Sequence, residues 1–248
     1  LNRKLSALFA TTLILMIYWA ESPNVLLAQT PYETSIKGQV INLTPNGAGV
    51  DSVKILIHQQ DRSGVTTTIS ETRTDVTGRF HFDDVKYTLD SSYGISTTYQ
   101  NAIYVLDIGP LIDIDEALIL NVYDSSNDDS TLSTSLASVF LSKVDDSEST
   151  ISALEVINIV NTSHHTFVPG SEVMSFLRFS LPPNTVNLQV QTLLPGAEFI
   201  QVDKGFALLA SVPPGKHEIM YSYNFRFSGS ETIFIKSLRY GADVLRIL

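Results

Sequence analysis

Five histidines, His58, His81, His164, His165 and His217, come first in a search for chemistry. Imidazole serves both as a general base and as a metal ligand. His58, His81 and His217 sit singly in stretches that alternate as strands do, where a solvent-facing or hydrogen-bonded ring is the plain reading. His164 and His165 are adjacent in Asn161-Thr162-Ser163-His164-His165-Thr166. Neighbouring strand residues point to opposite faces, so both could hold one metal ion only from an irregular loop. Three acidic clusters, Asp83-Asp84, Asp113-x-Asp115-Glu116 and Asp124 to Asp129, raise the question of calcium, which takes roughly six to eight oxygens. None follows the spacing of a D-x-[DN]-x-[DN]-G loop, since Ser126 stands third and Asp129 sixth in the last cluster. They read as turn acids and a solvated linker. Ser228-Gly229-Ser230 lacks the spacing of a G-x-S-x-G nucleophile elbow, and no helix is expected after it. With no cysteine in the chain, thiol catalysis and thiolate metal sites are excluded. No catalytic residue, cofactor or metal site is assigned.

Sugar recognition uses exposed aromatic platforms. The one tryptophan, Trp19, lies in the N-terminal apolar run, which leaves Tyr32, Tyr87, Tyr93, Tyr99 and Tyr104 as candidates. Tyrosines alternating along strands serve equally well at the rim of a core.

The elements that must position these groups are short strands. Thr74-Asp75-Val76-Thr77-Gly78-Arg79-Phe80-His81-Phe82 reads as a turn feeding a strand with Phe80 and Phe82 on one face. Gly78 takes the backbone angle that other residues reach only with strain, and Asp75 bonds the N–H groups ahead of it. Before it come strands at 35–42 and 52–60, the second with Val53, Ile55 and Ile57 alternating, and a Thr-rich edge strand at 65–73. After it, Tyr93, Ile95, Thr97 and Tyr99 alternate, residues 103–108 pair back, and 116–123 closes the unit. Residues 124–130, acidic and without large apolar groups, form a linker that buries too little to order itself. Strands then recur at 135–143, 151–160, 174–181, 186–193, 199–202, 206–210, 217–227 and 232–238, separated by Pro- and Gly-rich turns. Val244 to Leu248 is strand-like and ends the sequence, as though the second unit were truncated.

Arg3 and Lys4 precede an uncharged run from Leu5 to Ala20, and Ala28-Gln29 offers a cleavage point. This is the pattern of a signal peptide over residues 1–28, and it is too short for a spanning helix of ~20 residues. Sixteen Lys and Arg against twenty-six Asp and Glu give a net charge of −10. With the basic residues scattered, nucleic acid is excluded as a partner.

The strand opening Gly38-x-Val40, the turn Thr74-Asp75-x-x-Gly78-x-Phe80-x-Phe82 and the closing strand together resemble the carboxypeptidase regulatory-like domain. That resemblance implies a transthyretin-like sandwich over residues 33–123, a fold grouped with starch-binding-like modules, and no catalytic residues. Glu155 to Asn161, Leu177 to Pro182 and Pro213-Pro214-Gly215 resemble an uncharacterised module that accompanies it in exported bacterial proteins.

The sequence thus predicts an all-β chain of two tandem antiparallel β-sandwiches after a signal helix. The first, at 33–123, would be transthyretin-like; the second, at 131–248, immunoglobulin-like. The expected role is that of a non-enzymatic exported protein of the cell envelope, structural or protein-binding. The location would be periplasmic, cell-surface or extracellular, with membrane attachment through the signal or a C-terminal span beyond Leu248. Two alternatives stay open: a carbohydrate-binding module recognising surface polysaccharide, and accessory domains of a larger secreted enzyme.

Overall fold

Alternation of apolar and polar side chains dictates what the chain becomes: every long element is a strand. The computed structural model describes residues 32–111, 116–145, 147–228 and 232–248. The expected signal helix at 1–28 lies outside them, as do Asp113 and Asp115. Residues from Pro31 to Leu248 form one compact unit, within which there are two hydrophobic cores.

The first core is enclosed by two sheets. β1 (Tyr32–Asn42), β4 (Arg79–Tyr87) and β7 (Leu118–Val122) form one, in the order β4-β1-β7. β2 (Lys54–Gln60), β3 (Thr66–Arg73), β5 (Ser92–Tyr99) and β6 (Ala102–Gly109) form the other, in the order β3-β2-β5-β6. Ile36, Val40, Phe80, Phe82 and Leu120 from the first sheet meet Ile55, Ile57, Tyr93, Ile95 and Tyr104 from the second. Thr-rich β3 is the edge strand its composition predicts, with its hydroxyls in water.

The Asp75 turn is built as its residues require. Asp75 Oδ1 accepts from the Thr77 N–H at 2.8 Å, the Thr77 hydroxyl at 2.7 Å and the Arg79 N–H at 2.9 Å. Those bonds hold the Asp75 carboxyl below its usual range, the Thr77 hydroxyl contributing most. Gly78 has φ +77°, and a Cβ there would stand 2.5 Å from the Val40 carbonyl oxygen. The turn therefore admits glycine alone without strain. It delivers Phe80 and Phe82 inward and His81 outward.

The second core lies between a five-stranded and a three-stranded sheet. The large sheet contains β9 (Leu132–Asp145), β10 (Thr150–Asn161), β13 (Thr185–Thr192), β16 (Gly215–Arg226) and β17 (Val244–Ile247), in the order β13-β16-β10-β9-β17. The small one contains β12 (Leu177–Ser180), β14 (Glu198–Val202) and β15 (Gly205–Leu209), in the order β12-β15-β14. Ile157, Ile159, Ile219 and Tyr221 of the large sheet pack on Leu177, Phe179, Phe206 and Leu208 of the small one.

Four expectations need correction. The sheets are mixed, not purely antiparallel: β7 runs parallel to β1, β17 parallel to β9, and β8 (Ser125–Ser126) parallel to β11 (Thr166–Phe167). The chain leaves β6 in one sheet for β1 in the other and arrives running in its direction, a reversal that strand patterning does not encode. The strand expected at 174–181 begins instead with a 3₁₀ turn, Val173–Ser175. Residues 232–238 form no strand but an extended strap along β12.

The fourth correction concerns 124–130, which is ordered without apolar burial because its polar groups are paired. Asp124 accepts from the Ala48 N–H, Asn42, Tyr99 and Gln100 at 2.8–3.1 Å. Its own N–H donates to Thr44 Oγ1, and its carbonyl accepts from the Thr166 N–H. Asp128 caps the 3₁₀ turn Asp129–Thr131. Tyr104 and Thr166 share a buried hydroxyl contact at 2.7 Å that crosses from the first core to the second.

Burial raises the Asp124 carboxyl pKa, but the four donors together outweigh it and leave the value below the ordinary 3.8. A folded-state value below the unfolded one stabilises fully above that ordinary value and is lost as pH falls through the folded value. Asp124→Ala is therefore expected to cost about 1–3 kcal/mol at neutral pH, after discounting for solvent screening. The difference from wild type should shrink on acidification. Denaturant melts of both proteins from neutral to strongly acidic pH check this; a difference that grows in acid contradicts it.

Candidate functional site

Glu155 stands in the inward-facing row Ala153, Glu155, Ile157, Ile159 of β10, the central strand of the large sheet. It is wholly buried, and a buried carboxylate must be paired. Tyr221 and Tyr223, from neighbouring β16, each donate a hydroxyl to one of its oxygens at 2.7 Å. Lys236, from the strap, closes the site: its Nζ lies 2.7 Å from Glu155 Oε2. The same Nζ donates to the Tyr221 hydroxyl oxygen and to the Ser180 carbonyl, both at 2.8 Å. All three ammonium hydrogens are thereby used. Burial raises both tyrosine hydroxyls well above their usual range, with the Glu155 charge adding to it. Burial also lowers the Lys236 ammonium against the pull of Glu155.

This cluster fixes the strap, and the strap makes a wall. Ser237 N–H donates to Ser180 Oγ at 3.0 Å, and that hydroxyl donates to the Ser237 carbonyl at 2.7 Å. Arg239 pairs with Asp129 at 2.7 Å and lies over the Tyr240 ring. Between this wall and the β14–β15 hairpin is a groove of about 980 Å³ on the outer face of the small sheet. Register places Arg178, Ala207 and Ile200 across one row of that face, and Ser180, Gly205 and Val202 across the next. The floor dips because Ser180 is small and Gly205 has no side chain; a Cβ on Gly205 would collide with the Phe179 carbonyl oxygen. Met174, Val202 and Leu238 give the rim apolar surface, while Lys204 and Asp203 stand on the hairpin.

Arg178 is the unusual group. Its Nε is buried and has no hydrogen-bond partner, and its Nη1 reaches only Met174 Sδ at 3.8 Å. Among the described residues no carboxylate lies within ion-pair distance of Arg178 or Lys204. The groove offers cations, small residues and an apolar rim. Such a set can hold an anionic group.

The residues first considered for chemistry are dispersed. His58 sits between Ser96 at 2.6 Å and Thr68 at 3.1 Å, His81 bonds Asp83 at 2.7 Å, and His217 bonds the Pro213 carbonyl at 2.8 Å. The backbone carbonyls of His164 and His165 accept from Thr44 and Asn161. Among the described residues no three His, Asp or Glu side chains converge on a metal position. Tyr93, Tyr99 and Tyr104 are buried in the first core, and Tyr32 stacks on Tyr87 at 5.4 Å. None of the five lines the groove at Arg178. The Glu155 cluster was missed by reading along the sequence. Its signal was present, since alternation with Ala153, Ile157 and Ile159 places a carboxylate in an apolar row.

No family model matches this chain, and no curated protein matches it. Among solved structures, a two-domain zinc metallopeptidase bound to L-tryptophan is 14% identical with a TM-score of 0.27. That match covers 41% of this chain and 22% of the peptidase, so the chain spans about a fifth of that protein. A serine-rich repeat adhesion glycoprotein from Streptococcus agalactiae is 10% identical with a TM-score of 0.25, over 81% of this chain and 90% of that one. Likeness at this level carries no argument about fold or activity.

Proposed function

We propose that this chain is a non-enzymatic, exported protein of the bacterial cell envelope. In this reading two β-sandwich domains, the first of the carboxypeptidase regulatory-like type and the second immunoglobulin-like, present a binding surface to another envelope component. The carrying observation is the groove at Arg178. It is a recess on the small sheet with one wall fixed by a buried ion pair, and its lining joins Arg178 and Lys204 to the apolar side chains of Met174, Val202 and Leu238. Export is supported by the basic start at Arg3 and Lys4 and the uncharged run to Ala20. The Asp75–Gly78 turn and the inward Phe80 and Phe82 support the regulatory-like reading of the first domain.

The interaction role is tested by sedimenting the purified mature chain with envelopes of the cells that express it. Saturable binding is expected, competed by unlabelled chain. Binding that rises without saturation, or none at all, contradicts the role.

A further inference from the structure

The Arg178 groove carries more than a generic contact surface. Its lining holds three cations, Arg178, Lys204 and Arg239, against the single carboxylate Asp203. The whole chain carries a net charge of −10, so this is a local reversal of sign. Arg239 is already committed to Asp129. Arg178 and Lys204 are not committed to any acid among the described residues, and Arg178 Nε is desolvated with nothing to donate to. The Arg178 Nη1, in an exposed contact with the Met174 sulfur alone, is the end of the guanidinium open to a charge-assisted bond with a carboxylate.

The rim decides which carboxylate. Met174 and Val202 are exposed at 68% and 41%, and both line the groove beside Leu238. The aromatic residues of the lining, Phe179 and Phe206, are buried at 8% and 1% and offer no ring face for a sugar to stack on. The complement of this surface is an acid flanked by apolar side chains.

We propose that the groove binds an extended acidic peptide segment of another protein. A Glu or Asp carboxylate sits on Arg178 and Lys204, and apolar side chains two residues to either side of it, on the same face of the extended segment, lie against Met174 and Val202. This rests on the reading of the chain as an interaction protein, and it names the class of partner. Asp203 beside Lys204 sets the boundary of the anion position and disfavours ligands with several adjacent charges.

The test is fluorescence anisotropy with the mature chain and a labelled, C-terminally amidated peptide that carries one glutamate, a valine two residues to either side of it, and serine between. The same peptide with glutamine or lysine in place of glutamate serves for comparison. The glutamate peptide should bind at least about tenfold tighter than the glutamine one, with affinity falling as salt rises. Arg178→Gln should weaken it by about tenfold or more, the loss of one charge-assisted pair. Lys204→Gln, on the exposed hairpin, gives a second variant whose fold is not at stake and should weaken it severalfold. Arg62→Gln, paired with Asp90 on the first half, should change nothing. Equal binding of the glutamate and glutamine peptides overturns the proposal, as does an unaltered affinity in both groove variants. So does saturable binding of a polyuronate in place of the peptide, or a concentration-dependent dimer abolished by Arg178→Gln, which would put a second copy in the groove. Saturable envelope binding without peptide binding would leave the interaction role standing and remove this ligand.

Discussion

Glu155→Gln is expected to destabilise the second core by about 3–5 kcal/mol, because it strands the Lys236 ammonium in a site with 6% side-chain exposure. The amide keeps the volume but presents one acceptor where two were used. Tyr223 and Tyr221 each donate to a different oxygen, so one hydroxyl loses its partner as well. Lys236→Met should cost a similar amount for the mirror reason, leaving Glu155 charged and buried. The double change Glu155→Met with Lys236→Met removes both charges, and well-packed apolar replacement of such a pair is often nearly neutral. The three variants therefore form a cycle with a large coupling energy, readable from denaturant melts at neutral pH. Single variants that cost less than about 1 kcal/mol would mean that the pair is solvated. Lys236→Met has a second readout. By releasing the strap it should open the groove wall formed by Ser237 to Arg239, so amide exchange at those residues should speed up more than in β10.

Phe80→Ala should cost the first core about 3–5 kcal/mol, the usual penalty for emptying an aromatic site in a packed interior. Phe80 is 4% exposed and packs edge-on against Phe82 at 6.0 Å. His81, one residue along, faces outward and bonds only Asp83, so His81→Ala should change stability by about 0.5 kcal/mol or less. Equilibrium unfolding of the two variants compares the faces of β4 directly. A costlier His81 variant would reverse them.

Much of the architecture was legible because period-two patterning is a local signal. Ile55 and Ile57, and Tyr93 and Ile95, alternate in the sequence as one face of a strand, and each is buried. The turn at Asp75 was legible because side-chain bonding and a positive φ demand particular residue types. What could not be read is non-local. The parallel arrival of β7 at β1 depends on a crossing between sheets, which leaves no mark on Leu118 to Val122. The strap at 232–238 alternates like a strand, and Ile233 and Ile235 are exposed while Phe234 and Leu238 pack on the second core; its polar bonds to β12 come from Lys236 and Ser237. Order at 124–130 comes from partners supplied by Asn42, Ala48, Tyr99 and Gln100, far away in sequence. The groove was illegible for the same reason. Arg178, Lys204 and Arg239 come from three separate segments and meet only because β12 pairs with β15 and the strap runs beside them.

A binding surface has meaning only in the compartment where its partner is, and the proposed role requires this chain to work outside the cytoplasm. The direct measurement is the mature N-terminus, by mass spectrometry, on protein recovered from cells whose outer compartments have been opened to protease while the cytoplasmic membrane stays closed. The account predicts a chain that is degraded under those conditions and begins at Gln29, after removal of residues 1–28. A protease-protected chain that retains Arg3 and Lys4 would contradict it.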